Sequence, residues 1–137
     1  MKKDNLSKKD ETMIFAISAT LMLYVDRIYS MASVNKDDAM IYVNDEDVVE
    51  FALRIHMKEV LTEFEYYKAA YGTGKEKYEY INITELLKRV MFFHDLYVKD
   101  MLIRNIESGR SFDDYSVLDW DMEIISVMLF RGIHEYI

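Results

Sequence analysis

The sequence has no cysteine and no proline, and only four glycines and one tryptophan in 137 residues. Lack of cysteine excludes disulfides, thiolate metal sites and thiol nucleophiles together, and fits a reducing compartment. With no proline and so little glycine, nothing interrupts long helical patterns, which favours an all-α fold. Basic clusters are lacking as well. The 17 lysines and arginines are scattered and the formal net charge is −8, so there is no electrostatic footprint for a phosphate backbone. Nucleic acid is not an expected partner.

The longest strongly apolar run, IFAISATLMLYV at residues 14 to 25, falls short of the roughly 20 residues that a membrane-spanning helix needs. Lys2, Lys3, Lys8 and Lys9 precede it as in a signal peptide. However, Asp4, Asp10 and Glu11 interrupt the basic region, and no small-residue cleavage site follows before Asp26 and Arg27. The C-terminus, MLFRGIHEYI, carries Arg131 and Glu135. The expectation is a soluble cytoplasmic protein without a transmembrane anchor, in which the sequons Asn5-Leu6-Ser7 and Asn82-Ile83-Thr84 are chance matches.

Hydrophobic residues make up 51% of the chain, enough for one domain over 1–137 with a continuous core, residues 1–8 lying outside its ordered part. Ile14, Ile17, Leu21, Val25 and Ile28 repeat at helical spacing, predicting a first helix from about Lys9 to Met31, capped by Ser7. Residues 33 to 44 read as polar and irregular. A long helix follows Asn44, its cap, with Val49, Leu53, Met57, Val60, Phe64, Tyr67 and Tyr71 along one line. Phe51, Leu61 and Tyr66 lie off that line, so the helix carries a second apolar face, and Gly72 and Gly74 end it. The next helix begins at Asn82, with Glu85 at capping-box spacing and Ile83, Leu86, Val90, Phe93 and Tyr97 inward, and reaches about Glu107. A loop then leads to a final helix from Asp119, with Trp120, Ile124, Val127, Met128 and Ile133 inward.

Catalytic and metal-binding patterns are sparse. None of His56, His94 and His134 has an acid three residues before it, as a di-iron bundle requires, and they read as ordinary surface or boundary histidines with no metal. YGTGK is too short for a phosphate-binding loop, no serine sits in a nucleophile elbow, and Asp113-Asp114 reads as a solvated turn. No enzymatic activity and no cofactor are expected. Eleven tyrosines and ten methionines suit a binding surface, because tyrosine offers area at small entropic cost and methionine adapts to imperfect shapes. They equally suit core filling.

Two segments, ALRIHMKEVL and LLKRVMFFHDLYV, resemble parts of the Bcl-2 family. The Ala-Leu-Arg segment opening a long amphipathic helix is similar to the family's BH3 region, and Lys88-Arg89 before apolar residues is similar to the start of its central helix. The tail DWDMEIISVMLFRGIHEYI resembles the closing helices of short viral members. Two features depart: Leu86-Leu87-Lys88 stands where members commonly carry Asn-Trp-Gly, and Met57-Lys58 stands where the BH3 motif has Gly-Asp.

The resemblance implies a Bcl-2-like helical bundle with a central hydrophobic hairpin and a BH3-binding groove. It implies a viral-type pro-survival homologue in the host cell cytoplasm, one that inhibits apoptosis by sequestering the BH3 helices of host pro-apoptotic proteins. The groove residues it implies are Met57, Val60, Phe64, Tyr67 and Tyr71 on one wall, Leu86, Val90 and Phe93 on the floor, and Arg89 for the ligand aspartate. An empty groove of that kind would favour a homodimer. Two alternatives stay open: an adaptor of the same fold that acts on innate immune signalling through helix faces, and an unrelated helical structural protein without a buried central hairpin.

Overall fold

The computed structural model describes the backbone of residues 8–71, 82–108 and 115–137, and the side chains of residues 10–63, 82–108 and 121–137. All the described elements are helical, and the domain is all-α. The first helix, α1 (Lys8–Val34), is the axis of the structure and packs against every other helix. Its sequence explains this position. Met13, Ile14, Ala16, Ile17, Leu21, Tyr24, Val25, Ile28, Tyr29 and Ala32 are all buried, an arc too wide for one neighbour to cover. Thr20 is also fully buried, and its hydroxyl donates to the Ala16 carbonyl at 2.7 Å.

By length and composition alone, the segment Asp10–Val34 could cross a bilayer, which corrects the reading of a run too short to do so. In the folded domain 67% of its apolar window is buried against the other helices. Lys88 and Arg89 lie within the helix Ile83–Phe93, which is one of α1's neighbours.

Residues 36 to 44 form a second helix, α2 (Lys36–Asn44), where an irregular segment was expected. Asn35 caps it by accepting from the amides of Asp37 and Asp38 at 2.9 and 3.1 Å, and Ala39 and Val43 make a short buried stripe. Asp45 alone separates α2 from α3 (Glu46–Tyr71). Its amide donates to the Ile41 carbonyl at 2.9 Å, while its carboxylate accepts from the amides of Asp47 and Val48 at 3.1 and 3.2 Å. The cap of α3 is therefore Asp45; Asn44 instead donates its side-chain amide back to the Met40 carbonyl. Val49, Leu53, Met57 and Val60 of α3 are buried as the spacing predicts.

Asn82 caps α4 (Ile83–Phe93), accepting from the Glu85 amide at 3.0 Å. A π-helical segment (His94–Val98) continues without a break into α5 (Lys99–Glu107). The wide turn changes the inward register. Leu86, Val90 and Phe93 point inward before it, and Val98, Leu102 and Ile106 after it. The extra residue moves the inward position from Tyr97, where unbroken helical spacing places it, to Val98. Tyr97 is left half-buried, and Ile83, also expected inward, is exposed.

The last helix, α6 (Tyr115–Tyr136), starts earlier than Asp119 and packs on α1. Its inward residues are Ile125, Leu129 and Ile133. Of the five expected inward, Ile133 is buried, Ile124, Val127 and Met128 are exposed, and the Trp120 side chain lies outside the described residues, as do the expected caps at Ser7 and Gly72. The C-terminal turn of α6 is fastened by aromatic contacts of Tyr136 with Phe92, Phe93 and Tyr97 at centroid distances of 5.8, 5.7 and 6.3 Å.

Replacing glycine by alanine inside a helix ordinarily gains about 1 kcal/mol. At Gly132 an added Cβ would stand 2.9 Å from Cζ of Tyr97, whose ring stacks on Phe93. Gly132→Ala is therefore expected to give no gain, or a loss, in urea unfolding, and to recover the ordinary gain in a Tyr97→Leu background.

Candidate interaction surface

Of the nine residues assigned to a groove, the six whose side chains are described do not line an open one. Met57, Leu86 and Val90 are fully buried, and Val60 and Phe93 nearly so, all within the single core cluster that surrounds α1. The reason is packing: α3 and α4 touch each other as well as α1, so the stripe of each points into the core. The side chains of Phe64, Tyr67 and Tyr71 lie outside the described residues. Arg89 is at the surface, its guanidinium 3.0 Å from the Glu85 carboxylate one turn earlier.

Off the buried line of α3, the second apolar face includes Phe51 at 64% exposure and Ile55 at 43%, both presented to solvent. The histidines differ from one another. His56 and His134 are partly buried, but His94, read as a boundary residue, is buried completely. Nδ1 of His56 approaches a Glu59 carboxylate oxygen at 3.4 Å without a directed hydrogen bond, and burial holds the pKa of this ring below the ordinary histidine value. Among the described residues no cluster of histidine, aspartate and glutamate could hold a metal ion.

An apolar surface lies between α1 and α6. A groove of about 800 Å³ is walled by Phe15, Ala19 and Met22 from α1 and by Val127, Phe130 and His134 from α6, among others. Phe15, Val127 and Phe130 are each about half exposed, and Ile124 and Met128 extend the patch along the outer side of α6. This helix thus has two apolar stripes. One, Ile125, Leu129 and Ile133, faces α1; the other, Ile124, Val127 and Phe130, faces outward.

The spacing places Ile124, Val127 and Met128 in the core, whereas all three are exposed, and it does not single out Phe130. The signal that separates the stripes is their flanking charge. Glu123 and Arg131 lie four residues on either side of Val127 and are exposed with it, which marks that side as the wet one.

No family model, curated protein or solved structure matches the chain. The likeness to Bcl-2 proteins therefore stands on the residues quoted for it.

The side chains of Arg89 and Glu85 are 39% and 42% exposed, so their ion pair is screened by water. Arg89→Ala is expected to lower folding stability by only about 0.3–0.5 kcal/mol, the usual worth of such a pair one helical turn apart. A loss above about 1.5 kcal/mol in denaturant unfolding would mean that Arg89 holds more of the fold than this one contact.

Proposed function

We propose that this chain is a non-enzymatic helical interaction module whose working surface is the α1–α6 face, and that in the absence of another partner a second copy occupies this face. The observation that carries the reading is the outward stripe of α6, where Ile124, Val127 and Phe130 are left 42–54% exposed. Fully burying an aromatic side chain removes about 150–250 Å² from water. Phe15 and Phe130, at 55% and 48% exposure, therefore leave about 200 Å² uncovered between them. Ile124, Val127 and Met128 raise the patch to the order of 500 Å², the upper end of what monomers leave in one piece.

The stripe is also self-complementary. An antiparallel pairing of two α6 helices centred on Val127 sets Glu123 of one copy opposite Arg131 of the other, twice, and Ile124 opposite Phe130. Such pairing is isologous, as a two-fold interface requires. Its area falls below the roughly 800 Å² per partner of standard interfaces, so the expected affinity is micromolar. Each copy has a formal net charge of −8, and this long-range repulsion is screened by salt over about 8 Å at physiological ionic strength. Pairing should therefore strengthen as salt is added.

Among the functions the resemblance implies, this reading agrees best with the adaptor that acts through helix faces. Capture of a BH3 helix in the other groove is the second reading, and one observation favours it: Arg89 stands at the surface in a weak pair that a ligand carboxylate could replace. That groove would require α3 and α4 to part from each other, because Met57, Val60, Leu86 and Val90 now sit in the core.

Sedimentation equilibrium over a concentration series tests the first reading. The wild type is expected to dimerise in the micromolar range and Val127→Asp to remain monomeric with its helical content unchanged. Glu123→Arg should weaken the dimer and the double variant Glu123→Arg, Arg131→Glu should restore it. A wild type that stays monomeric to about 1 mM, where the interaction is worth no more than about 4 kcal/mol, would overturn it. Calorimetry with BH3 peptides tests the second, which fails if no peptide binds more tightly than about 10 μM, near 7 kcal/mol.

A further inference from the structure

We propose that His94 is a proton-operated latch that ties the π-helical segment to α1 and α2, closed when its imidazole ring carries both protons. The ring is 1% exposed and stands edge-on to the ring of Tyr24, 5.2 Å away. Its Nδ1 is 3.0 Å from the Asp95 carboxylate, and its Nε2 is 3.3 Å from the Tyr24 hydroxyl. Tyr24 in turn donates to the Tyr42 carbonyl at 2.6 Å. That carbonyl lies in the last turn of α2, where intrahelical partners run out. Four groups from three elements thus form one chain, and the chain passes through the only π-helical turn among the described residues.

Counting protons shows why it can act as a latch. The Asp95 carboxylate and the Tyr42 carbonyl can only accept, and the Tyr24 hydroxyl has one proton to give. At 2.6 Å that proton belongs to Tyr42. The Tyr24 oxygen can then only accept from Nε2, and Asp95 can only accept from Nδ1. A doubly protonated ring makes both bonds. A neutral ring makes one of them and sets a lone pair against an oxygen at the other. In the Nδ1-protonated tautomer Nε2 becomes an acceptor that competes with the Tyr42 carbonyl for the Tyr24 proton, which loosens α2. In the other tautomer Asp95, which is 62% exposed, can turn away to water.

The surroundings set where the latch works. Burial lowers the His94 pKa below the ordinary histidine value. The hydrogen bond and charge of Asp95 oppose that shift, and the Lys99 charge adds to it. From α1 the ring meets the Tyr24 hydroxyl, and only through that hydroxyl does it reach the Tyr42 carbonyl of α2. Burial, assisted by Asp95, raises the pKa of Tyr24 far above its ordinary value, so its hydroxyl stays a donor throughout. Because the folded-state pKa of His94 is depressed, the unfolded chain takes up this proton first as pH falls. Stability is lost between the unfolded and folded values, and below both the contribution is constant. The latch is therefore open at neutral pH and closes on the acid side of the ordinary histidine range.

The test follows the His94 ring by nitrogen and carbon NMR in the full chain while amide exchange is measured across residues 40–44 and corrected for its intrinsic pH dependence. Protection of these amides relative to the α3 amides is expected to rise severalfold as His94 takes up its second proton. Tyr24→Phe should abolish that rise while His94 still titrates. Asp95→Asn, a change at an exposed carboxylate that leaves the core intact, should move the titration and the rise in protection together to lower pH. Protection that does not change across the His94 titration, or that keeps the wild-type pH dependence in Asp95→Asn, would overturn the proposal.

Discussion

The burial of α1 is the constraint on which the other helices depend, because a helix with so wide an apolar arc must be surrounded before any of it is stable in water. Truncating one fully buried leucine in such a core costs about 2–5 kcal/mol, against a total stability of about 5–15 kcal/mol for a domain of this size. Each neighbouring helix therefore needs only one apolar stripe turned inward, and α3 and α5 provide it with Val49, Leu53 and Met57, and with Leu102 and Ile106. Whatever apolar surface they carry beyond that stripe has no place in the core. It appears outside as Phe51 and Ile55 on α3 and as Ile124, Val127 and Phe130 on α6.

Two junctions let the shell close around α1. Asp45 ends one helix and starts the next with its own amide and carboxylate, which turns the chain within a single residue. The π-helical segment keeps α4 and α5 in one rod and re-aims the rod's inward stripe, so that Phe93 and Val98 both reach the core. Its wide turn also brings His94 against Tyr24 of α1. The same local insertion thus serves packing and creates the polar chain from His94 through Tyr24 to Tyr42.

Much of the helical outline was legible in the sequence, because long periodic patterns without proline or glycine leave few alternatives. Ile14, Ile17, Leu21, Val25 and Ile28 are all buried as their spacing requires, and Asn82 caps as its distance from Glu85 predicts. The failures have separate causes. The helix α2 was missed because nine residues with two buried positions give almost no periodic signal, and only the Asn35 cap marks it. Tyr97 was assigned inward because spacing alone does not register a π turn. On α6, where apolar residues occur on both sides, spacing cannot decide which side meets α1. The groove residues share that difficulty: Val60, Leu86 and Val90 form a convincing apolar set, and burial rather than composition shows that the set is core.

In the proposed pair the outer stripe of α6 is the shared surface, with Val127 at the two-fold axis. The absence of any native cysteine allows a direct measurement. In an isologous antiparallel pair the residue at the axis faces its own copy, within the roughly 4–7 Å between Cα atoms that a disulfide spans. Under mild oxidation Val127→Cys is expected to give a covalent dimer rapidly, and Phe51→Cys, at a more exposed site on α3, to remain largely monomeric. A Val127→Cys protein that stays monomeric, or that cross-links no faster than Phe51→Cys, would rule out pairing through α6.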